Sequence, residues 1–321
     1  MKTLKIIFMG SPQFAIPSLK TIYESEHDLL GIITQPDRPR GRGYRTFPTP
    51  VKEWAEAKGM YVEQPQKLND PSFINKIKAL SPDLIVNVAF GRIIPINILE
   101  LPPYGSINLH PSLLPAYRGP APVQWAIFNG EEYTGVSVIY MEEELDAGEI
   151  ILQEKEPIYM DDTTGDLLQR LAEKGAGLLL EAIDLIAREE VSSYPQNPAD
   201  ITYAPFLKPE DEIIKWGRST LEIHNKVRGM APSPGAYTFH EGSRLKIWDT
   251  EVASCHEEDE NELSDTLPGT VIELGAFGFT VKTGDGVLIV KEVQPEGKKR
   301  MHASDFWRGY RLTEGVILGK K

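Results

Sequence analysis

The sequence predicts an α/β protein, with a larger domain built on a parallel sheet and a smaller β-barrel domain after it. Residues 4–9, 30–34 and 84–88 are apolar, β-branched runs separated by helix-like segments, the pattern of parallel strands joined by crossover helices. After residue 235 the chain instead shows short alternating runs broken by turn signals. Because 321 residues exceed the roughly 100–200 residues of one ordinary domain, two domains are expected.

The first domain is predicted from its strands and one long helix. Residues 10–14 turn the first strand into a helix without the G-x-G-x-x-G pattern, which disfavours nicotinamide or flavin binding. A further strand is predicted at residues 136–140. Residues 163–188 carry apolar side chains at helical spacing, so a long amphipathic helix is expected to close the domain.

The second domain follows a segment rich in Pro, Asn, Ser and Asp, which predicts a semi-extended linker. The expected division is a first domain at residues 1–189, a linker at 190–210 and a second domain at 211–321. After a helix at 220–228, strands are predicted at 235–240, 244–251, 268–274, 277–283 and 287–294. Asp285-Gly286 is a hairpin signal between the last two strands, and a small barrel is the expected architecture.

Composition narrows the possible compartments and chemistries. Cys255 is the only cysteine, which excludes an internal disulfide and a cysteine-based metal cluster and fits a reducing compartment. The apolar run at the N-terminus is too short for a signal sequence, and no later run is long enough to span a membrane, so a cytoplasmic protein is expected. The remaining histidines do not have the spacing of metal ligands; they are His27, His224, His240, His256 and His302.

Basic side chains are clustered in a chain whose formal net charge is −13. The first cluster, in a Gly/Pro-rich loop, consists of Arg38, Arg40, Arg42 and Arg45. The second cluster consists of Lys298, Lys299 and Arg300. Such clusters fit contact with a polyanion in spite of the overall charge, and the acidic run between residues 251 and 265 is expected to face away from it.

Two polar side chains at the end of a predicted strand form the candidate active site. Asn108 and His110 project from the same side because side chains alternate along a strand, and Pro111 ends the strand. Open α/β sheets bind ligands at this end of their strands. With the carboxylate of Asp146 available to orient the imidazole, the set suits a reaction that develops an oxyanion at a carbonyl.

A longer pattern extends around these residues. Asn108 and His110 are followed by Ser112-Leu113-Leu114-Pro115 and Gly119, and later by Asp146-x-Gly148. This pattern resembles that of the folate-dependent formyltransferases, and the resemblance runs from end to end to those members that act on an aminoacylated tRNA. Residues 35–43 look like their tRNA-contacting loop, 89–95 like their folate-pocket loop, and 229–236 like the start of their C-terminal domain.

The resemblance implies a Rossmann-like formyltransferase domain followed by an OB-like barrel that helps to hold tRNA. It implies transfer of the formyl group of 10-formyltetrahydrofolate to the α-amino group of methionine on initiator methionyl-tRNA, for translation initiation. No metal is expected, and a monomer is expected. The implied folate-binding residues are Phe90, Gly91, Arg92, Ile93, Ser112, Leu113, Leu114, Pro115 and Gly119. The implied tRNA-binding residues are Arg38, Arg40, Arg42, Arg45, Lys298, Lys299 and Arg300.

Catalytic roles follow for the three polar residues of the candidate site. Asn108 and protonated His110 would donate hydrogen bonds to the oxyanion of the tetrahedral intermediate. Asp146 would stabilise the imidazolium and pass the amine proton, through a water, toward the departing folate nitrogen.

Two rival functions stay open at this point. The first is a formyltransferase that acts on the amine of a nucleotide sugar or of glycinamide ribonucleotide, because Asn108, His110 and Asp146 would be shared. The second is a tRNA-binding or folate-binding protein without catalysis. The arginine-rich loop and the second domain argue against the first rival, and the complete polar trio argues against the second.

Overall fold

A computed structural model describes residues 2–40, 45–253 and 265–320, so Arg42 and Cys255 lie outside the described residues. The chain forms two compact units. The first consists of Met1–Pro122, Tyr133–Pro157 and Leu168–Pro205, and the second of Val123–Glu132, Ile158–Leu167 and Phe206–Lys321. The chain therefore passes from one unit to the other several times. The sequence instead predicts two consecutive domains joined by a single linker at 190–210.

The first unit is built around a seven-stranded sheet. Its elements and those that lead into the second unit are, in chain order, β1 (Lys5–Gly10), α1 (Ile16–Tyr23), β2 (Asp28–Ile33), β3 (Arg38–Arg40), β4 (Arg45–Phe47), α2 (Pro50–Ala57), β5 (Val62–Glu63), α3 (Pro71–Leu80), β6 (Leu84–Val88), α4 (Ile96–Leu99), β7 (Ser106–His110), α5 (Pro122–Phe128), β8 (Tyr133–Tyr140), β9 (Ile150–Pro157) and α6 (Thr164–Ala187). The strand order is β5-β2-β1-β6-β7-β8-β9, while β3 and β4 pair as a separate hairpin. The predictions of β1, β2, β6 and the long helix α6 are confirmed.

The sheet is mixed, whereas the sequence predicts a parallel one. β5, β2, β1, β6 and β7 are parallel, but β8 and β9 run antiparallel to their neighbours. The edge strand β9 was not predicted, because only Ile150 and Ile151 near its start are buried apolar residues and its remainder is largely polar. An edge strand of this kind lacks the apolar run that marks a central parallel strand.

Local sequence signals set the helices that cover this sheet. α2 and α3 both begin with a proline, which suits the first turn because that position needs no backbone donor. Thr49 caps α2 by accepting from the Lys52 amide, and Asp70 caps α3 by accepting from the Ser72 amide. One core cluster between the helices and the sheet is formed by Ile7, Met9, Ile33, Leu68, Phe73, Ile77, Ile85, Phe90, Ile94, Ile98 and Leu99.

The second unit contains an antiparallel sheet of six strands, in keeping with the OB-like expectation. Its further elements are α7 (Thr220–Gly229), β10 (Tyr237–His240), β11 (Ser243–Val252), β12 (Val271–Gly275), β13 (Gly278–Lys282), β14 (Val287–Pro295), β15 (Met301–His302) and α8 (Ala303–Gly309). The order is β10-β11-β14-β13-β12, with β15 paired to β14. Asp285-Gly286 lies in the β13–β14 hairpin, as predicted.

Two segments from earlier in the chain complete the second unit. The Arg228 guanidinium donates to the carbonyl oxygens of Tyr159 and Asp162, both at 3.0 Å. The Thr164 hydroxyl donates to the Gly229 carbonyl at 2.7 Å. These bonds satisfy buried polar groups and hold residues 158–167 against α7.

No helix in the described part of the chain is both long and apolar enough to cross a membrane.

Candidate active site

The end of β7 presents the first two residues of the predicted site. Asn108 and His110 are 7% and 4% exposed, and Ile107 and Leu109 pack on the opposite face of the strand. In the sheet, Asn108 lies beside Asn87 of β6, and His110 lies beside Ser137 of β8. Parallel strands have their carboxyl ends on the same side of the sheet. Asn87, Asn108 and His110 therefore lie on the side where open α/β sheets bind ligands.

His110 and Asp146 are brought together, as the sequence predicts. The Nδ1 atom of His110 lies 3.6 Å from Oδ2 of Asp146, and both side chains are buried. On its other side the imidazole donates from Nε2 to the Tyr117 carbonyl at 3.0 Å. The same Oδ2 atom of Asp146 accepts the Gly119 amide at 2.9 Å. A proton at Nδ1 would therefore face a carboxylate that a backbone amide already orients.

The loop that carries Asp146 is held in an uncommon backbone conformation. Asp146 has φ +54°, in the left-handed region. A Cβ at Gly148 would collide with the Tyr140 carbonyl, so only glycine fits there. This explains the glycine in the Asp146-x-Gly148 pattern.

Two residues that sequence reasoning did not assign hold this loop. The Gln196 amide donates to the carbonyls of Asp146 and Gly148, both at 2.8 Å. The Arg118 guanidinium donates from Nε to Oε1 of Gln196 at 2.9 Å. Arg118 directly precedes Gly119 of the family pattern but has no predicted role, and Gln196 lies in the predicted linker, where no sequence signal indicates that it docks on the site.

A third unassigned residue, Asn87, contacts Asn108 directly. Nδ2 of Asn87 donates to Oδ1 of Asn108 at 2.7 Å. Oδ1 of Asn87 is buried and has no hydrogen-bond partner among the described residues. The sequence signal is a single polar residue in the otherwise apolar strand β6.

The predicted folate loop after β6 mixes buried and exposed groups. Phe90 is fully buried, and its carbonyl accepts from Gln35 Nε2 at 2.6 Å. The Arg92 guanidinium donates to the carbonyls of Pro65 and Gln66, whereas the Ile93 side chain is 84% exposed. Within this loop, Ile93 offers the apolar surface that a flat ring could cover.

The predicted folate residues after β7 form a tightly bonded turn. Ser112 is buried and donates to the Ala116 carbonyl at 2.7 Å, and Leu114 packs in a small core cluster. The backbone of Gly119, at φ +122°, passes so close to the Ala204 carbonyl that a Cβ would lie 2.7 Å from it. Ser112 and Leu114 thus shape the turn, and Leu113 and Pro115 are only partly buried.

A cavity of about 450 Å³ lies beside the basic hairpin, in the size range of small-ligand sites. Its wall combines the turn after β1, the segment after β2, Ala89 and the start of α2. Arg38 and Phe47, which pair across the hairpin, line the cavity and are exposed. Hydrogen bonds from Lys52 and Gln64 lower the pKa of Asp37, so this neighbouring carboxylate is ionised and paired.

Residues 38–45 were predicted as a loop, but their ends are strands. β3 and β4 pair antiparallel, with Arg40 opposite Arg45. The pairing places Arg38, Arg40 and Arg45 on one hairpin, whereas Arg42 lies outside the described residues. Polar arginines carry no periodic signal that would separate a short hairpin from a loop.

The second basic cluster lies in the other unit. Lys298 and Lys299 are exposed. Arg300 is exposed too, but it stacks on Trp248, 3.5 Å from the ring centre, and lies 3.9 Å from Glu292. Its guanidinium is therefore already engaged, which separates Arg300 from the two lysines.

Comparisons with known proteins show which family the chain belongs to. A family model described as "Formyl transferase" matches residues 3–183, and one described as "Formyl transferase, C-terminal domain" matches residues 207–311. The chain is similar to a methionyl-tRNA formyltransferase of Moorella thermoacetica, with 48% identity over 98% of this chain and 99% of that protein. A methionyl-tRNA formyltransferase of Pelotomaculum thermopropionicum is 46% identical over 99% of each chain.

Solved structures share the fold at low sequence identity. HypX from Aquifex aeolicus in complex with tetrahydrofolic acid matches with a TM-score of 0.66 at 17% identity; the match covers all of this chain and 51% of HypX. This chain therefore spans about half the length of HypX. The sugar 3N-formyl transferase WlaRD, solved with dTDP and 5-N-formyl-THF, matches with a TM-score of 0.64 at 20% identity, over 93% of this chain and 100% of WlaRD.

Proposed function

We propose that this chain, which belongs to the formyl transferase family, transfers the formyl group of 10-formyltetrahydrofolate to the α-amino group of methionine on initiator methionyl-tRNA. The observation that carries the proposal is full-length similarity, at 48% identity, to a methionyl-tRNA formyltransferase, in a chain whose Asn108, His110 and Asp146 lie at one sheet edge. The product would be formylmethionyl-tRNA.

Asn108 would stabilise the oxyanion that forms when the amine nitrogen attacks the formyl carbon. Its Oδ1 is occupied by Asn87, so Nδ2 is the atom left to donate. One positioned donor of this kind lowers the barrier by about 3 kcal/mol. Placing the two reacting groups at the correct distance supplies much of the remaining rate enhancement.

His110 and Asp146 would act together on the oxyanion and on the proton that the amine loses. Nε2 of His110 donates to the Tyr117 carbonyl, so this nitrogen would donate to the oxyanion only by exchanging that carbonyl for the formyl oxygen. Asp146 would accept the amine proton through a water and deliver it toward the folate nitrogen as the carbon–nitrogen bond to folate breaks. His110 would enter the reaction already protonated, stabilised by the ionised Asp146 carboxylate, and would take no proton from the amine.

Substrate binding would use one surface for folate and two sets of basic side chains for tRNA. The loop 90–93 and the turn 112–115 with Gly119 are the proposed folate surface, with the exposed Ile93 as its apolar contact. Arg38, Arg40, Arg42 and Arg45 are the proposed contacts to tRNA phosphates, with Lys298, Lys299 and Arg300 as a second set. Of that second set, the lysines are the freer to bind, because Arg300 is stacked on Trp248. We also propose a monomer that acts in the cytoplasm, where a tRNA substrate is available.

The test is a formylation assay with the full chain. Charged initiator methionyl-tRNA and 10-formyltetrahydrofolate are mixed with the protein, and formylmethionine is measured after the ester bond is hydrolysed. Glycinamide ribonucleotide and an amino sugar nucleotide are offered in parallel reactions. Formylmethionine as the main product supports the proposal. Turnover of a small amine without turnover of tRNA would overturn it.

A further inference from the structure

We infer that Asn87 is a positioning residue that decides which end of the Asn108 amide faces the reactants; this rests on the proposed formyl transfer. Asn87 and Asn108 lie side by side on the parallel strands β6 and β7. On its other side in the sheet, Asn87 neighbours Met9, which is fully buried and offers no polar side-chain atom. Asn108 is therefore the polar partner that the sheet gives to Asn87.

An amide can present either its oxygen or its nitrogen with almost no change in shape. Only the nitrogen can donate to an oxyanion, so the orientation of Asn108 matters for catalysis. The hydrogen bond from Asn87 Nδ2 to Asn108 Oδ1, at 2.7 Å, occupies the oxygen. Asn108 Nδ2 has no hydrogen-bond acceptor among the described residues, and it remains free for a reactant.

The opposite arrangement is worse for the buried end of Asn87. Oδ1 of Asn87 is buried without a partner among the described residues. If both amides were turned, the NH₂ group of Asn87 would occupy that place, with two donors unsatisfied instead of one acceptor. Buried donors without partners are rarer and costlier than under-satisfied carbonyl oxygens. The pair therefore favours the arrangement that frees Asn108 Nδ2.

The position of Asn87 also argues for a role beyond packing. The other residues of β6 are Leu84, Ile85, Val86 and Val88, all buried. An apolar residue at position 87 would fit a central parallel strand and would avoid the unpaired oxygen. An amide here lowers stability, and the compensating effect we assign to it is the fixed orientation of Asn108.

Two substitutions separate positioning from packing. Asn87→Asp keeps the shape but replaces the donor with a carboxylate, which would attract Asn108 Nδ2 and turn it away from the reactants. We expect kcat to fall on the order of 100-fold, the usual effect of losing one oxyanion donor, with KM for both substrates within about twofold. Asn87→Leu offers neither a donor nor an acceptor, so it favours neither orientation of the Asn108 amide. For this variant kcat should fall only about two- to fivefold.

The pH profile gives a readout that a packing role would not produce. The carboxyl group that Asn87→Asp introduces can donate again once it is protonated, as the amide does. The kcat ratio of Asn87→Asp to the original protein should therefore rise as the pH falls through the pKa of the new carboxyl group. Asn75→Asp, on the exposed face of α3, adds the same charge elsewhere and should keep a ratio near one at every pH. Thermal unfolding shows that each variant is folded.

Equal activities of Asn87→Asp and Asn87→Leu, or a flat pH ratio for Asn87→Asp, would overturn the inference. Failure of the original protein to formylate methionyl-tRNA would instead overturn the proposed function. The orientation can still be tested in that case by NMR of the Asn108 side-chain amide. Its protons should exchange with solvent faster in the original protein than in Asn87→Asp at neutral pH, and the reverse order would contradict the proposed arrangement.

Discussion

His110 in the first unit and His224 in the second are both buried, but their two ring nitrogens are treated differently. His224 lies 2.9 Å from the Thr250 hydroxyl and donates to the Met160 carbonyl at 3.0 Å, and burial lowers its pKa. His110 has one such bond, to Tyr117, while its other nitrogen lies 3.6 Å from the Asp146 carboxylate. Hydrogen bonds at both ring nitrogens suit His224 to a structural role, whereas the proposed role of His110 rests on the nitrogen that faces the Asp146 carboxylate.

The sharpest test of this contrast is His110→Ala. Loss of the imidazole should lower kcat by about 100- to 1,000-fold, because a donor and a charge partner for Asp146 are lost together. KM for tRNA should stay near its original value in a steady-state assay. His224→Ala is the control, and its kcat should be unchanged. A His110→Ala enzyme within twofold of the original kcat would remove His110 from the reaction.

Removing a hydrogen bond that holds the Asp146 loop should lower kcat less than removing His110 does. Gln196→Ala removes the amide that bonds the carbonyls of Asp146 and Gly148, so the carboxylate would be less well placed. We expect kcat to fall about tenfold, since small misplacements in an active site are costly. Gln169→Ala, exposed on α6, is the matched control. Equal rates for the two variants would show that the Gln196 bonds do not serve catalysis.

A substitution in the basic hairpin should change tRNA binding without the effects expected from either histidine substitution. Arg38→Ala should raise KM for tRNA several-fold with little change in kcat, and should lower the slope of binding against salt by about one. Lys20→Ala, an exposed position on α1, is the control for general loss of positive charge. Binding is measured by titrating labelled tRNA at several salt concentrations. An unchanged salt slope would place Arg38 outside the phosphate contacts.

The smallest effect on turnover belongs to His224, whose removal should appear in stability instead. His224→Ala should lower the free energy of unfolding by about 1–3 kcal/mol, because buried partners lose their hydrogen bonds. Urea unfolding measures this difference. A lower kcat per folded molecule would contradict the structural role assigned to His224.

His224 should also make stability depend on pH in a known direction. Burial lowers its pKa in the folded chain below the ordinary value of 6.5, so the unfolded chain binds the proton more readily. This contribution to stability is complete above pH 6.5 and is lost as the pH falls toward the folded value. The loss should be smaller in His224→Ala, and equal pH dependence in both proteins would contradict it.

Sequence patterns located the central strands and the polar pair on β7 because both depend on local spacing. Alternation places Asn108 and His110 on one face, and Pro111 marks the strand end. The docking of Gln196 depends on where residues 190–205 lie after folding, so no local pattern contains it. β9 and the hairpin of Arg38–Arg40 were missed because edge strands with polar side chains carry little periodicity.

Neither the roles of the site residues nor their ligand contacts follow from such patterns. The proximity of His110 and Asp146 followed from the longer pattern of the family, whereas Asn87 was visible only as a polar residue in an apolar strand. The sequence does not show which atom donates and which accepts in each hydrogen bond of the site. That direction separates an amide that donates to a reactant from one that merely fills a gap.

The passage of the chain between the two units has a consequence for synthesis on the ribosome. Residues 123–132 and 158–167 leave the exit tunnel well before residues 206–320, against which they pack. During this interval Phe128 would lack the contact that it makes with Gly229 in the folded chain. The nascent first half would expose apolar surface during that interval, and a fragment truncated at residue 189 should be prone to aggregate or to be held by a chaperone.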